Sequence, residues 1–252
     1  MPQWRAVVAR LSGFEAAVAA AEAAAITPPV IRVVPGGEAA SLRAEALDVR
    51  LPNRAPLVAA EELAIAPGDR VLVTGPTGSG KSTLFRALDG IWPFGSGMVT
   101  VPREARVRMM PQRPYFPTGS LADAIAYPAR PGRFAAAEIR DVLAAVGLPA
   151  FGARLDEQAH WNRMLSLGEQ QRLAIARAIL HAPDFLFLDE ATASLDEPSE
   201  AAIYRLIEAR LPRAAVVSIG HRSTLFAFHR RHETVVRTGG RNLIRESGVQ
   251  TV

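Results

Sequence analysis

The chain has 252 residues, is 49% hydrophobic and carries a formal net charge of +4, which is enough apolar content for one compact core with a smaller lobe. It contains no cysteine, and this excludes disulfides, thiolate metal sites and cysteine nucleophiles. The positive charge is arginine spread along the chain, with Arg230-Arg231 as its longest run, so the charge pattern does not mark a nucleic-acid surface.

Met1 to about Ala25 is rich in alanine, the strongest helix former, and predicts one or two helices. Glu15 and Glu22 interrupt its apolar character, and no stretch approaches the run of about 18 apolar residues that spans a membrane. The N-terminus also lacks the basic-then-apolar pattern of a signal peptide. Thr27-Pro28-Pro29 ends this region as a linker. From Val30 to Ala66, the runs Ile31–Val34, Ala46–Leu51 and Leu63–Ala66 alternate with Pro35-Gly36-Gly37 and Pro52-Asn53, a pattern that predicts an antiparallel β-lobe.

Beyond it the pattern changes. Short, continuously apolar runs at Val71–Val73, Val107–Met110, Phe185–Leu188 and Val216–Ile219 read as parallel strands buried on both faces. Helical stretches separate them: Lys81–Leu88, Ala135–Val146 with Gly147 as C-cap, Glu169–Leu180 and Pro198–Leu211. The fold class is α/β: a mainly parallel sheet flanked by helices, with the antiparallel β-lobe before it and a helical subdomain at about 114–180.

Gly75-Pro76-Thr77-Gly78-Ser79-Gly80-Lys81-Ser82, followed by Thr83, matches the phosphate-binding loop pattern and sits between a buried strand and a helix start. Glycines let the backbone turn several N–H groups toward phosphate oxygens, and the helix N-terminus adds partial positive charge. Lys81 is the only lysine in the chain. Where arginine serves as the cation elsewhere, this position keeps a compact ammonium, suited to reach between phosphates as a point charge. Ser82 offers a hydroxyl to a Mg²⁺ ion. Phe185–Leu188 runs into Asp189-Glu190. Asp189, at the strand end, is placed to hold Mg²⁺, and Glu190 to polarise a water attacking the γ-phosphate.

Leu165-Ser166-Leu167-Gly168-Glu169-Gln170-Gln171-Arg172 resembles the signature of the ATP-binding cassette (ABC) ATPases, usually written LSGGQ followed by a Gln-Arg pair. Ser166 and Gly168 match, while Leu167 and Glu169 depart, and Glu169 brings a negative charge to a helix start suited to an anion. Three further elements fall in the family's order: Gln112 after one strand, Ser194-Leu195-Asp196 after the carboxylate pair, and His221 after the last core strand. The resemblance spans about Leu63 to His221. It implies a P-loop NTPase core that hydrolyses ATP with Mg²⁺, held by Ser82, Asp189 and Gln112. It also implies catalytic roles for Glu190, His221, Lys81 and Gln112. Ser166, Gly168, Glu169 and Asp196 would meet ATP bound on a second copy of the domain.

The flanks, Phe85–Leu88 with Gly90-Ile91-Trp92-Pro93, Pro111–Tyr115, and Ser218–Arg222, are similar to one branch of the family. That branch comprises bacterial half-transporters with permease and ATPase in one chain, akin to peroxisomal fatty acyl transporters and to bacterial uptake systems for vitamin B12 or antimicrobial peptides. The resemblance implies that residues 1–29 form a junction from a membrane domain, that 30–252 form the ATPase domain, and that the site of action is the cytoplasmic face of the bacterial inner membrane. The helical insertion would receive the permease, with Tyr115 and Phe116 as candidate contacts. A non-transport ABC ATPase acting on nucleic acid or ribosomes is the alternative; its coiled coil or second cassette is not in this sequence. A P-loop kinase would share Lys81 and Asp189 but has no need of Ser166–Arg172 or His221. No Phe, Tyr or Trp lies between Phe14 and Phe85, so adenine is expected to pack on aliphatic groups near Leu51–Leu57, with similar affinities for ATP and GTP.

Overall fold

The computed structural model describes residues 2–37 and 41–247. One helix, α1 (Pro2–Ile26), leads into the Pro28-Pro29 segment. The strands β1 (Arg32–Pro35), β2 (Leu42–Arg50) and β3 (Pro56–Ile65) follow, then β4 (Arg70–Thr74), α2 (Lys81–Leu88), β5 (Gly95–Val101) and β6 (Val107–Met110). Next come β7 (Gly119–Ser120), α3 (Leu121–Ala126), α4 (Ala136–Ala145), β8 (Gln158–Ala159), α5 (Trp161–Met164) and α6 (Leu167–His181). The chain closes with β9 (Phe185–Asp189), α7 (Glu197–Arg210), β10 (Ala215–Ile219), β11 (Arg231–Thr238) and β12 (Arg241–Ser247). Among the described residues, no helix is long and apolar enough to cross a membrane.

The lobe and the core are one sheet. Ten strands run in the order β1-β5-β2-β3-β12-β11-β4-β10-β9-β6. From β11 to β6 every pairing is parallel, and β9 and β10 are buried along their whole length, as strands covered on both faces must be. The other half is antiparallel through β3, β2 and β5, but its edge strand β1 runs parallel to β5. The halves join where Leu243 of β12 pairs with Ala59 of β3.

Two strand groups of the ten-stranded sheet are absent from the sequence reading, each for a physical reason, and the short β7–β8 pair lies inside the stretch read as helical. β5 opens Gly95-Ser96-Gly97, which reads as a turn. Gly97 has φ +108°, and a Cβ there would lie 2.6 Å from the Ala46 carbonyl oxygen, so the glycine serves close strand contact with the bulge of β2 at Ala46 (φ +48°). The hairpin of β11 and β12 is rich in Arg, Thr and Glu, because most of β12 and the end of β11 face solvent.

Two apolar clusters fill the molecule. One lies between α2 and the sheet, with Phe85 edge-on to Phe187 at 5.0 Å. The other joins the helices to the opposite face, around Trp161, whose Nε1 donates to the Gly119 carbonyl at 2.9 Å. Phe116 belongs to this core: it is 3% exposed, with the Arg177 guanidinium 4.4 Å above its ring, whereas Tyr115 is 60% exposed. Of the two candidate contact residues, only Tyr115 is at the surface.

Behind β10, His229 Nδ1 donates to the Leu225 carbonyl at 2.7 Å, which leaves Nε2 of the neutral ring to accept from Ser218 Oγ at 2.8 Å. Burial lowers its pKa from 6.5 to about 4. The unfolded chain therefore takes up a proton below pH 6.5 that the folded chain refuses, and stability is lost as pH falls from 6.5 toward 4. The expected loss between pH 6.5 and about pH 5 is about 1.5 kcal/mol. Denaturant titrations of the wild type and His229→Gln check this, because the variant should lack that part of the slope.

Candidate functional site

The phosphate-binding loop leaves β4 at Thr74 and enters α2 at Lys81. Gly80 caps α2 at φ +96°, and a Cβ there would lie 2.8 Å from Leu57 Cγ, so both conformation and space call for glycine. The Lys81 ammonium donates to the Gly75 and Pro76 carbonyls at 2.7 and 2.8 Å. The loop thus curls around its own cation. Burial lowers the Lys81 pKa, against the opposing pull of Glu190 and Asp189. Ser79 is buried with an unpartnered Oγ. Its carbonyl accepts from Asn242 Nδ2 at 3.2 Å, and the same amide reaches the Leu57 carbonyl at 2.9 Å. Asn242 ties β12 to the loop and belongs to no recognised motif. It lies in the hairpin that the sequence reading missed.

Ser82, in the first turn of α2, donates from Oγ to Asp189 Oδ1 at 2.7 Å. Asp189 ends β9 at 6% exposure, and burial raises its pKa. The next residue, Glu190, adopts φ +50°, a left-handed conformation uncommon for a non-glycine residue and concentrated at functional sites. Its backbone N–H donates to the Ile219 carbonyl at 3.2 Å. This turn brings the carboxylate to two polar groups: Gln112 Nε2 donates to Oε2 at 3.1 Å, and His221 Nε2 lies 3.3 Å from Oε1. Three residues distant in sequence meet at the ends of three adjacent strands, β6, β9 and β10. In an α/β sheet, the carboxyl ends of the strands are where ligands bind.

Gln171, 1% exposed in α6, is the glutamine of the signature's Gln-Arg pair, to which the sequence assigns no role of its own. Its Nε2 donates to the Gln112 carbonyl at 3.2 Å, and its Oε1 accepts from the Ser194 N–H at 3.0 Å. It fastens the signature helix to the strand-end loops on both sides of Glu190. Asp196 caps α7, accepting from the Ser199 N–H at 2.8 Å, and the Ser199 hydroxyl together with that N–H lowers its pKa.

The signature segment stands apart. Ser166 caps α6, and Glu169 folds back on it: Glu169 Oε2 accepts from the Ser166 N–H at 2.9 Å and from Oγ at 2.7 Å, while Ser166 Oγ accepts from the Glu169 N–H at 3.3 Å. This reciprocal box satisfies two donors. The N–H groups of Leu167 and Gly168, in the first turn, have no carbonyl to reach within the helix. Among the described residues, no hydrogen bond joins Ser166, Gly168 or Glu169 to residues 75–83. The structure therefore gathers Lys81, Ser82, Gln112, Asp189, Glu190 and His221 in one place, and among the described residues no hydrogen bond joins Ser166, Gly168 or Glu169 to their side chains.

This arrangement agrees with comparisons to known proteins. Residues 60–193, more than half the chain, match the ABC transporter family model. An ABC transporter ATP-binding protein of Haemophilus influenzae is 39% identical over 183 residues, covering 73% of this chain and 31% of that protein. The ATP-binding cassette sub-family D member 1 of Drosophila melanogaster is 37% identical over 200 residues, covering 75% of this chain and 27% of that protein. The structure of a bacterial Atm1-family ABC exporter with ATP bound superposes with a TM-score of 0.69 at 25% identity, over 86% of this chain and 40% of that one. The chain spans about a third or less of the length of these curated relatives. With the strand-end site, the family match and the relatives in agreement, the chain belongs to the ABC transporter ATP-binding family and is an ATP-binding, ATPase-class domain.

Proposed function

We propose that this domain is the motor of a membrane transporter, working as a two-fold pair in which each ATP lies between the phosphate loop of one copy and the Ser166 helix of the other. The observation that carries the reading is the Glu190 carboxylate held by Gln112 and His221 beside Lys81, Ser82 and Asp189. Gly168 supports the pairing. A Cβ there would meet only Leu195 Cδ2 at 3.5 Å and the Ser194 carbonyl at 3.6 Å, both ordinary contacts, so nothing among the described residues demands glycine. Close approach of a partner's nucleotide does.

Mg²⁺ fits the donors present. Ser82 and Asp189 offer hard oxygen atoms side by side. Among the described residues, no cluster of three carboxylates or histidines forms a metal cage, which suits an ion held by one or two protein oxygens, water and substrate phosphates. When bound, the ion offsets phosphate charge. Lys81 takes hold of the phosphates in place of its own loop carbonyls. Glu190 accepts the proton of the attacking water at a carboxylate oxygen. His221 and Gln112 keep that carboxylate in place. Gln112 is placed by the family resemblance on Mg²⁺, and here its amide is directed to Glu190.

The partners in this reading are a second copy and a permease of the same transporter, at the cytoplasmic face of a bacterial inner membrane; no nucleic acid is involved. A groove of about 200 Å³ lined by Tyr115, Tyr127, Met109 and Arg177 is the surface for the permease. Steady-state phosphate release from MgATP tests the paired site. Ser166→Arg, which leaves the phosphate loop untouched, should abolish turnover, whereas a wild-type rate would contradict the reading.

Glu169 has a graded effect in this scheme. Its carboxylate occupies the hydroxyl that a partner's phosphate must share and repels that phosphate. Glu169→Gln is expected to tighten nucleotide-driven pairing by about twofold to tenfold, the scale of a screened like-charge contact. The dissociation constant of the pair, measured by light scattering over a dilution series, checks this.

A further inference from the structure

Glu200 lies in α7, outside every motif, and is 2% exposed. A carboxylate buried without partners costs several kcal/mol. The helix N-terminus does not require one here, since Glu197 already places an exposed negative charge in the first turn. Glu200 instead has three partners. Oε1 accepts from Thr192 Oγ1 at 2.6 Å, Oε2 from Thr224 Oγ1 at 3.3 Å, and Arg222 Nη1 lies 3.5 Å from Oε2. The same guanidinium donates to the Leu195 carbonyl at 2.7 Å and the Ala193 carbonyl at 3.2 Å.

The positions of these partners give the network its meaning. Thr192 follows Glu190 by two residues, Arg222 adjoins His221, and Ala193 and Leu195 flank Ser194. A cavity of about 120 Å³ is lined by Glu190 and His221 together with Glu200 and Arg222. One buried carboxylate and one arginine therefore tie the loop after β9 to the loop after β10, behind the contact between Glu190 and His221.

We propose that Glu200 and Arg222 are positioning residues for ATP hydrolysis: they hold the Glu190 and His221 side chains in register and fix the backbone around Ser194 through the Ala193 and Leu195 carbonyls. This rests on the assignment of Glu190 as the base. Arginine is needed because one planar fork reaches two carbonyls and a carboxylate, which a lysine ammonium does not span.

The test is steady-state kinetics of Arg222→Lys, Glu200→Gln and the double variant in the 252-residue chain with MgATP, beside Glu190→Gln. Each single variant should lower kcat by about tenfold to a hundredfold with the KM for ATP within about threefold of wild type, because the phosphate loop is untouched. The double variant should be no worse than the poorer single one, since the two act as a unit. Wild-type kcat in the single variants, or KM rising in step with the fall in kcat, overturns the proposal. If Glu200→Gln does not fold, Arg222→Lys decides alone; its side chain is 34% exposed. Turnover that survives in Glu190→Gln removes the underlying assignment. Loss there with normal Arg222→Lys removes only the positioning role.

Discussion

Glu190→Gln is expected to lower ATP turnover by about a hundredfold to ten-thousandfold while leaving ATP binding within about threefold of wild type. The substitution keeps the shape of the side chain and removes its capacity to take a proton. Lys81 and Ser82, the neighbours proposed to hold ATP, are on a different element and lose no contact. The backbone at Glu190 is held at φ +50° by its strand-end turn and by the N–H bond to Ile219, so the point from which the side chain leaves the turn does not depend on its charge. Phosphate release together with calorimetric ATP binding separates the two effects. Equal loss in both would mean that Glu190 shapes the pocket rather than acts on the water.

Lys81→Arg has the second large effect, despite keeping the charge. The ammonium fits between the Gly75 and Pro76 carbonyls at 2.7 and 2.8 Å and is 6% exposed. A guanidinium is wider and longer, and it cannot enter that turn as a point charge. Losing two charge-assisted hydrogen bonds to phosphate, each about 1.5–3 kcal/mol, predicts ATP binding weaker by about a hundredfold or more, measured by calorimetry. Because Lys81 is the only lysine, an amine-acylating reagent offers an independent readout. Apart from the N-terminus it should modify one site, and ATP should protect that site.

The residues that touch the nucleotide in this account were legible because their chemistry demands a fixed residue type next to a fixed backbone form. The phosphate loop needs glycine at Gly80, and the strand Phe185–Leu188 needs unbroken apolar residues up to Asp189. What supports them was not legible. Asn242 acts through backbone carbonyls and Glu200 through two threonine hydroxyls and Arg222, and no spacing announces such contacts; Gln171 stands in the signature, but its bonds to the Gln112 carbonyl and the Ser194 N–H depend on the fold. The β5 strand was hidden by the glycines that allow its close packing, and the β11–β12 hairpin by its solvent-facing charges. The expected antiparallel pairing is found for β2 and β3, with the unanticipated β5 added on the far side of β2. The parallel placement of β1 against β5 depends on a long-range pairing that local alternation does not encode.

The composite site is tested most directly by the mass of the Glu190→Gln chain in solution, by size-exclusion chromatography with light scattering, with and without MgATP. The account predicts a monomer without nucleotide and a dimer with it, the dimer abolished by adding Ser166→Arg. A Glu190→Gln chain that binds ATP yet stays monomeric at saturating nucleotide, or a dimer indifferent to Ser166→Arg, would contradict it.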